Sequence, residues 1–330
     1  MARARNSLID LSATPYYHCI SRCVRRAYLC GDDPYSGKNF DHRRQWLVER
    51  IKLLTSVFSI GLAAYSVMSN HYHAVFKVNK EDAELWSMDE VINRWYRLYH
   101  GNPLVDLYLK GEITEGAGLV RVQQIAEIWR TRLYDISWLM RNLNEFVARK
   151  ANKEDGCSGR YWEGRYKSQA LLDETALLSC LMYVDLNPVR AGIADSLSTS
   201  DYTSIKERIA QLKAHNQVIS KGLKNKDITV PEQPHQLLAF GSVNDKQALP
   251  FYLSDYLELA DWSGRAIHPQ KRGAISTNQS KILAELAIDE DFWLEAIKNF
   301  RRQYGSFAGG EFVLKQCANQ HHKCWYKGAG

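Results

Sequence analysis

Asn70-His71-Tyr72-His73-Ala74-Val75-Phe76-Lys77-Val78 is the stretch on which the reading of this chain turns. Successive side chains of a strand alternate between its faces, so His71 and His73 project together. Tyr72, Ala74, Phe76 and Val78 then face the other way and form an apolar surface suited to a core. Two neutral imidazoles held on one face can ligate a single divalent ion through ring nitrogens. A pair of hydrogen-bonded or exposed histidines on a sheet surface has the same pattern, and His-x-His alone does not separate the two.

Working outward, a second apolar run at 61–68 precedes this strand and is joined to it by Ser69-Asn70, a two-residue connection that signals a β-hairpin. Before it, Leu47, Ile51, Leu54 and Phe58 recur at helical spacing and predict an amphipathic helix over 40–58. Residues 16–23, Tyr-Tyr-His-Cys-Ile-Ser-Arg-Cys, read as a strand followed by a basic turn through Arg25 and Arg26. Downstream, 80–130 reads as an insertion with a helix at 88–99, a Gly-rich loop around 111–118 and a helical stretch after Arg121. A long helix is predicted over 135–152, a strand over 166–172 and a helix over 174–187, which Pro188 should end. The order strand–helix–strand–strand–helix–strand–helix predicts an α+β fold with helices on one face of an antiparallel sheet. Residues 1–210 would form this domain. Residues 211–235 are polar with Pro231 and Pro234 and read as a linker, and 236–330 as an accessory helical domain.

The second informative segment is Leu181-Met182-Tyr183-Val184-Asp185-Leu186-Asn187-Pro188-Val189-Arg190. Tyr183 and Asn187 lie four apart on a predicted helix and share a face. A tyrosine hydroxyl beside a metal-polarised phosphate can act as a nucleophile, and an amide oxygen can complete a metal site. A half-buried tyrosine and a turn asparagine would read the same way.

With 330 residues, 45% hydrophobic and 24% charged, the chain is of ordinary globular composition and long enough for two cores. No apolar run approaches the ~20 residues of a membrane span, and the amino terminus lacks a signal-peptide core, so a cytoplasmic protein is expected. Seven irregularly spaced cysteines fit a reducing compartment better than a disulfide scaffold. The net charge of +6 is compatible with a nucleic-acid partner without establishing one.

In order and spacing, Tyr65 to His73, Trp162-Glu163-Gly164-Arg165-Tyr166-Lys167-Ser168 and Tyr183 to Gly192 together resemble the HUH single-tyrosine transposases. Among these the resemblance is to the REP-associated tyrosine transposases. The Tyr17-His18 strand and the Leu139–Arg149 helix share in this resemblance, which spans roughly residues 10–210. It implies a ferredoxin-like sheet with the HUH strand in its middle, His71, His73 and Asn187 as metal ligands, and Tyr183 as nucleophile. The implied reaction cleaves and rejoins single-stranded DNA carrying REP-like hairpins through a 5′-phosphotyrosine, with Mg²⁺ or Mn²⁺. Two histidines and an asparagine would also accept Zn²⁺ or Ni²⁺. The insertion and the carboxy-terminal extension depart from the compact family pattern, and either a monomer or a homodimer is compatible with the sequence.

Arg160-Tyr161-Trp162-Glu163-Gly164-Arg165-Tyr166-Lys167 mixes cations for phosphates with rings for stacking bases. Arg160, Trp162, Arg165 and Lys167 are therefore candidate DNA contacts, together with Arg22 from the basic cluster near the amino terminus. The same aromatics could pack inward. Cys317, His321, His322 and Cys324 are close enough to suggest zinc, but their spacing matches no standard finger. Residues 278–298 could be two helices joined through Asp289-Glu290-Asp291, whose acidity argues against a DNA-facing role. Two other functions remain compatible with these residues: a hairpin-DNA-binding protein without turnover, and a metal-dependent hydrolase using water with Tyr183 structural. A replication initiator or relaxase ranks lower, since no Gly-x-x-x-x-Gly-Lys loop is present.

Overall fold

The computed structural model describes residues 8–24, 29–33, 37–220, 236–241, 245–267 and 281–328. Arg25, Arg26 and most of the segment read as a linker lie outside them. The elements in chain order begin with β1 (Tyr16–Arg22), α1 (His42–Val57), β2 (Ile60–Val67) and β3 (His71–Val78). Four helices follow: α2 (Lys80–Leu85), α3 (Met88–Tyr96), α4 (Pro103–Leu109) and α5 (Gly116–Leu133). Next come α6 (Ile136–Glu154), β4 (Lys167–Leu171), α7 (Glu174–Asp185), α8 (Asn187–Arg190) and α9 (Ser204–Ser220). The last part holds α10 (Leu253–Ile267), α11 (Lys281–Glu285), α12 (Glu290–Gln303), β5 (Phe307–Ala308) and α13 (Glu311–Gln320).

The strands form one sheet in the order β2-β3-β1-β4-β5. β1 pairs antiparallel with both β3 and β4. With α1 between β1 and β2 and helices between β3 and β4, this is the expected ferredoxin-like α+β arrangement, and the histidine strand β3 lies inside it. The Met68 N–H donates to the His71 carbonyl at 2.9 Å, closing the hairpin around Ser69-Asn70 as its two-residue connection foretells. β5 adds a strand that the sequence did not suggest. It pairs parallel with β4, Ala170 opposite Phe307, so the carboxy-terminal part adds a short strand to the sheet beside its helices α10 to α13.

The chain divides into two compact units. The first comprises 1–45, 62–77 and 160–330, so the stretch read as an accessory domain clusters with most of the sheet. Its centre is α7, whose residues from Ala176 to Asp185 are all buried. A helix apolar on every side needs neighbours on every side. β4 and α12 both contact α7, and α10 contacts α8, α11 and α12. Asp173 caps α7, accepting from the Ala176 N–H at 2.7 Å. Asp185 closes it, accepting from Ser204 Oγ (2.5 Å), the Ile205 N–H (3.1 Å) and the Tyr256 hydroxyl (2.6 Å). That one buried carboxylate ties α7 to the start of α9 and to α10. Gly264 permits the approach of α10, since a Cβ there would sit 3.3 Å from Leu186 Cδ2.

The second unit comprises 46–61 and 78–159. The stretch read as one helix, a glycine loop and a further helix holds four helices instead. α4 starts from an Asn102 cap followed by Pro103, and Gly116 and Gly118 lie within α5 rather than in a loop. Arg130 of α5 donates to the carbonyls of Ala83 and Trp86, both at 2.6 Å, fixing the end of α2. Trp95 stacks on Trp129 with centroids 5.4 Å apart, which joins α3 to α5. Residues 211–220, read as the start of a linker, continue α9 as helix. No helix among the described residues is long and apolar enough to cross a membrane.

Candidate functional site

Strand register assembles the site. Ile20 of β1 lies opposite His73 and Arg22 opposite His71, while His18 and Ile20 lie opposite Gln169 and Lys167 of β4. Paired positions share a face, so His18, Arg22, His71, His73, Lys167 and Gln169 all project to the side where α7 packs. The opposite face carries Tyr17, Cys19, Tyr72, Ala74 and Phe76, each 0% exposed. The predicted division of β3 into a histidine face and an apolar face is what the structure shows.

The rings of His71 and His73 are 4.9 Å apart, edge to face. His73 is tied through Nδ1 to His18 Nε2 at 2.8 Å, and His18 Nδ1 lies 3.3 Å from Gln169 Oε1. His71 is tied through Nδ1 to Asn70 Oδ1 at 2.7 Å. In both rings Nδ1 is engaged and Nε2 is left over, and the Nε2 of His73 is buried without a hydrogen-bond partner. Burial is the main cause that holds His18 and His71 down to about 4, and positive neighbours such as Arg301 add to it. Burial and then His18 depress His73 as well. All three rings are therefore neutral at pH 7, the state in which imidazole can ligate a cation.

Tyr183 lies against His73 and His18, its ring centroid 5.5 Å from the first and 6.1 Å from the second. Phe300 of α12 packs against both Tyr183 and His18, 5.8 Å from the one and 6.3 Å from the other. The residue is 6% exposed, and among the described residues none hydrogen-bonds its hydroxyl. The Arg190 guanidinium sits 4.7 Å over the Tyr183 ring, donates to Asn187 Oδ1 at 2.8 Å and to the Lys298 carbonyl at 3.2 Å. Asn187 is 2% exposed, and its Nδ2 and the Nε of Arg190 are buried without partners. The helix does not run through Asn187 as its spacing suggests. α7 ends at Asp185, and Asn187 opens the short α8 with Pro188 in its first turn.

The residues present fit a divalent ion in part. Two imidazoles with spare Nε2 atoms, one of them an orphan buried acceptor, fit a cation. The Asn187 oxygen already accepts from Arg190, so that side chain would have to share it. The described residues contain no group of three His, Cys, Asp or Glu placed to hold a metal. The carboxy-terminal set does not assemble either. His321 bonds Asp10 Oδ2 through Nε2 and the Tyr326 hydroxyl through Nδ1, both at 2.8 Å, with Cys317 Sγ 3.8 Å from Nδ1.

Beside the histidines is a cleft of about 200 Å³ whose lining includes Arg22, His71, Arg165, Lys167, Arg301 and one carboxylate, Glu163. A neighbouring one of about 900 Å³ is lined by His18, Arg165, Lys167, Gln169, Arg301 and Trp325 among others. Arg22, Arg165 and Lys167 are thus brought to one place. Arg160 is exposed but lines neither cleft. Trp162 differs from expectation. It is 8% exposed and packs on Tyr72 and Tyr161 at 5.8 and 5.0 Å, so its ring is committed to the core and offers no face to a base. Trp325, 69% exposed at the larger cleft, is the ring in position to do so.

His18, Gln169, Arg190, Phe300, Arg301 and Trp325 were not singled out from the sequence. Arg190 had a signal, being three residues past Asn187. The others enter through pairing register or through packing from far along the chain, neither of which periodicity reveals.

No family of known proteins matches the chain, and no curated protein matches it. It is similar to a solved structure of a REP-associated tyrosine transposase bound to a REP hairpin, with 13% identity and a TM-score of 0.36. That likeness covers 73% of this chain and 100% of the other.

Proposed function

We propose that this chain is a metal-dependent single-stranded DNA transposase or endonuclease that cleaves and rejoins DNA through a 5′-phosphotyrosine on Tyr183. The observation that carries the reading is the convergence of Tyr183 on His73, whose Nδ1 is tied by His18 and whose buried Nε2 has no partner. A buried acceptor without a donor costs stability unless something binds there.

His71 and His73 would hold the ion, with Asn187 as the third ligand. A divalent cation there would polarise the scissile phosphate. His18 holds the His73 ring in the tautomer and orientation that leave the Nε2 lone pair unspent. Arg22, Arg165, Lys167 and Arg301 bind the phosphates on either side of the scissile one, and Trp325 stacks a base. The Tyr183 oxygen attacks the phosphorus, forming the Tyr–O–P bond as the P–O3′ bond breaks. The departing 3′ oxygen takes up a proton, the tyrosine having lost one, so no net proton or energy source is consumed. Attack by another 3′-hydroxyl reverses the step and rejoins the strand.

Covalent capture tests this. Protein, single-stranded hairpin DNA and Mn²⁺ are mixed and separated under denaturing conditions. A metal-requiring adduct that is absent in Tyr183→Phe is the expected result. Cleavage without an adduct would establish water as the nucleophile, and hairpin binding without cleavage would establish a DNA-binding protein without turnover.

A further inference from the structure

We propose that the second unit carries its own binding groove for single-stranded DNA, built from the end of α3, the 100–102 loop, α5 and α6. DNA is taken as the nucleic acid because it is the substrate proposed above. The groove's chemistry stands apart from that reading and uses none of the residues around Tyr183.

The groove has a volume of about 930 Å³. Six cations line it (Arg50, Arg132, Arg141, Arg149, Lys150 and Lys153), and Glu145 is the one carboxylate among its lining residues. Glu145 pairs with Arg141 and Arg149, leaving a large positive excess. Between the cations lie half-buried aromatic rings, Tyr96, Tyr99, Trp138 and Phe146. Arg132 and Arg141 sit 4.4 and 5.3 Å over the Trp138 ring, and Arg50 and Lys150 sit 4.8 and 5.7 Å over Phe146. Four of the six cations sit over flat rings, an arrangement that a solvated basic helix face would not need. Phosphates every few ångströms with bases between them match this alternation.

A second observation points to an anion. The Arg50 Nε lies buried at the groove without a hydrogen-bond partner among the described residues. A buried guanidinium donor left unpaired destabilises the fold, and a phosphate oxygen would satisfy it. An acidic peptide would supply the anion but would leave the rings unstacked.

The experiment uses the full chain carrying Tyr183→Phe, in EDTA, with fluorescein-labelled oligothymidylate and anisotropy read across a salt series. Arg141→Gln/Arg149→Gln/Lys150→Gln removes exposed cations and should weaken binding at least tenfold, lowering the salt slope by about 2 at ~0.7 per phosphate. Trp138→Leu should weaken it about fivefold or more with little change of slope, the mark of lost stacking. The control Lys80→Gln/Lys110→Gln/Arg121→Gln removes equal charge from exposed positions outside the groove and should change affinity less than twofold. Equal losses in groove and control variants would overturn the proposal. So would a tenfold preference for oligouridylate, or displacement by polyglutamate as effective as by DNA. Covalent capture on a minimal hairpin separates the two readings. Groove-dependent binding without an adduct keeps this inference and removes the catalytic one, and an adduct with groove-independent binding does the reverse.

Discussion

In the proposed metal site His18 would be a support rather than a ligand, since its Nε2 is spent on His73 Nδ1. Removing such a support lowers metal affinity by roughly 10–100-fold in comparable sites. His18→Ala should therefore shift the Mn²⁺ concentration needed for half-maximal adduct by that factor while the adduct still forms at saturation. An unshifted metal titration would show that the contact is structural only. The two tryptophans divide in the same way. Trp325→Ala should weaken single-strand binding by about 1–3 kcal/mol and leave the melting temperature alone. Trp162→Ala should instead cost about 3–5 kcal/mol of stability, because its ring is packed on Tyr72. The histidines also make stability depend on pH. His18 and His71 sit near 4 in the folded chain against 6.5 when unfolded. Between those values the unfolded state binds more protons, so this contribution is whole above about 6.5 and is lost as pH falls toward 4. Metal-free melts at pH 7, 6 and 5 should step downward, and a flat series would contradict the burial of these rings.

Among the elements, α7 depends most on a single polar residue. Asp185 is fully buried and takes hydrogen bonds from Ser204, Ile205 and Tyr256. Asp185→Ala strands those donors and should cost about 3 kcal/mol or more in urea unfolding, while Tyr256→Phe, losing one bond, should cost about 1 to 1.5. Near-equal small effects would mean that the junction of α7, α9 and α10 is held by apolar packing alone. The elements that sequence read well carry a signal over several consecutive residues. β-prone or apolar runs place β1, β2, β3 and β4 within about two positions, and helical spacing places α6 within two. β5 has two residues and no period to read. α4 announced itself only by Asn102-Pro103, a cap signal without an apolar stripe long enough to call for a helix. Of the candidate site, His71, His73, Tyr183 and Asn187 could be picked out because strand alternation and helical spacing set them side by side. His18 and Gln169 were not, since they join them through the β1–β3 and β1–β4 registers.

At the scale of the whole molecule, the stretch after residue 236 behaves as part of the first unit and not as an appendage. Phe300 packs on both Tyr183 and His18, and Trp293 donates to Ser263 at 2.9 Å, fastening α12 to α10. A chain ending at residue 280 would strip one side of α7. Its melting temperature should fall by more than about 10 °C, as expected for a loss of several kcal/mol in a unit of this size. A truncated chain melting within about 2 °C of the full one would show that the extension is dispensable for the fold.

The cover that α12 places over Tyr183 has a consequence in time. Phe300 follows Tyr183 by 117 residues. At a synthesis rate of about 5–20 residues per second, the nascent chain exposes the tyrosine helix on the order of ten seconds before its lid can exist. During that interval the apolar flank of α7 lacks the cover that Phe300 later gives it, and the half-made chain carries an exposed surface that the finished one does not.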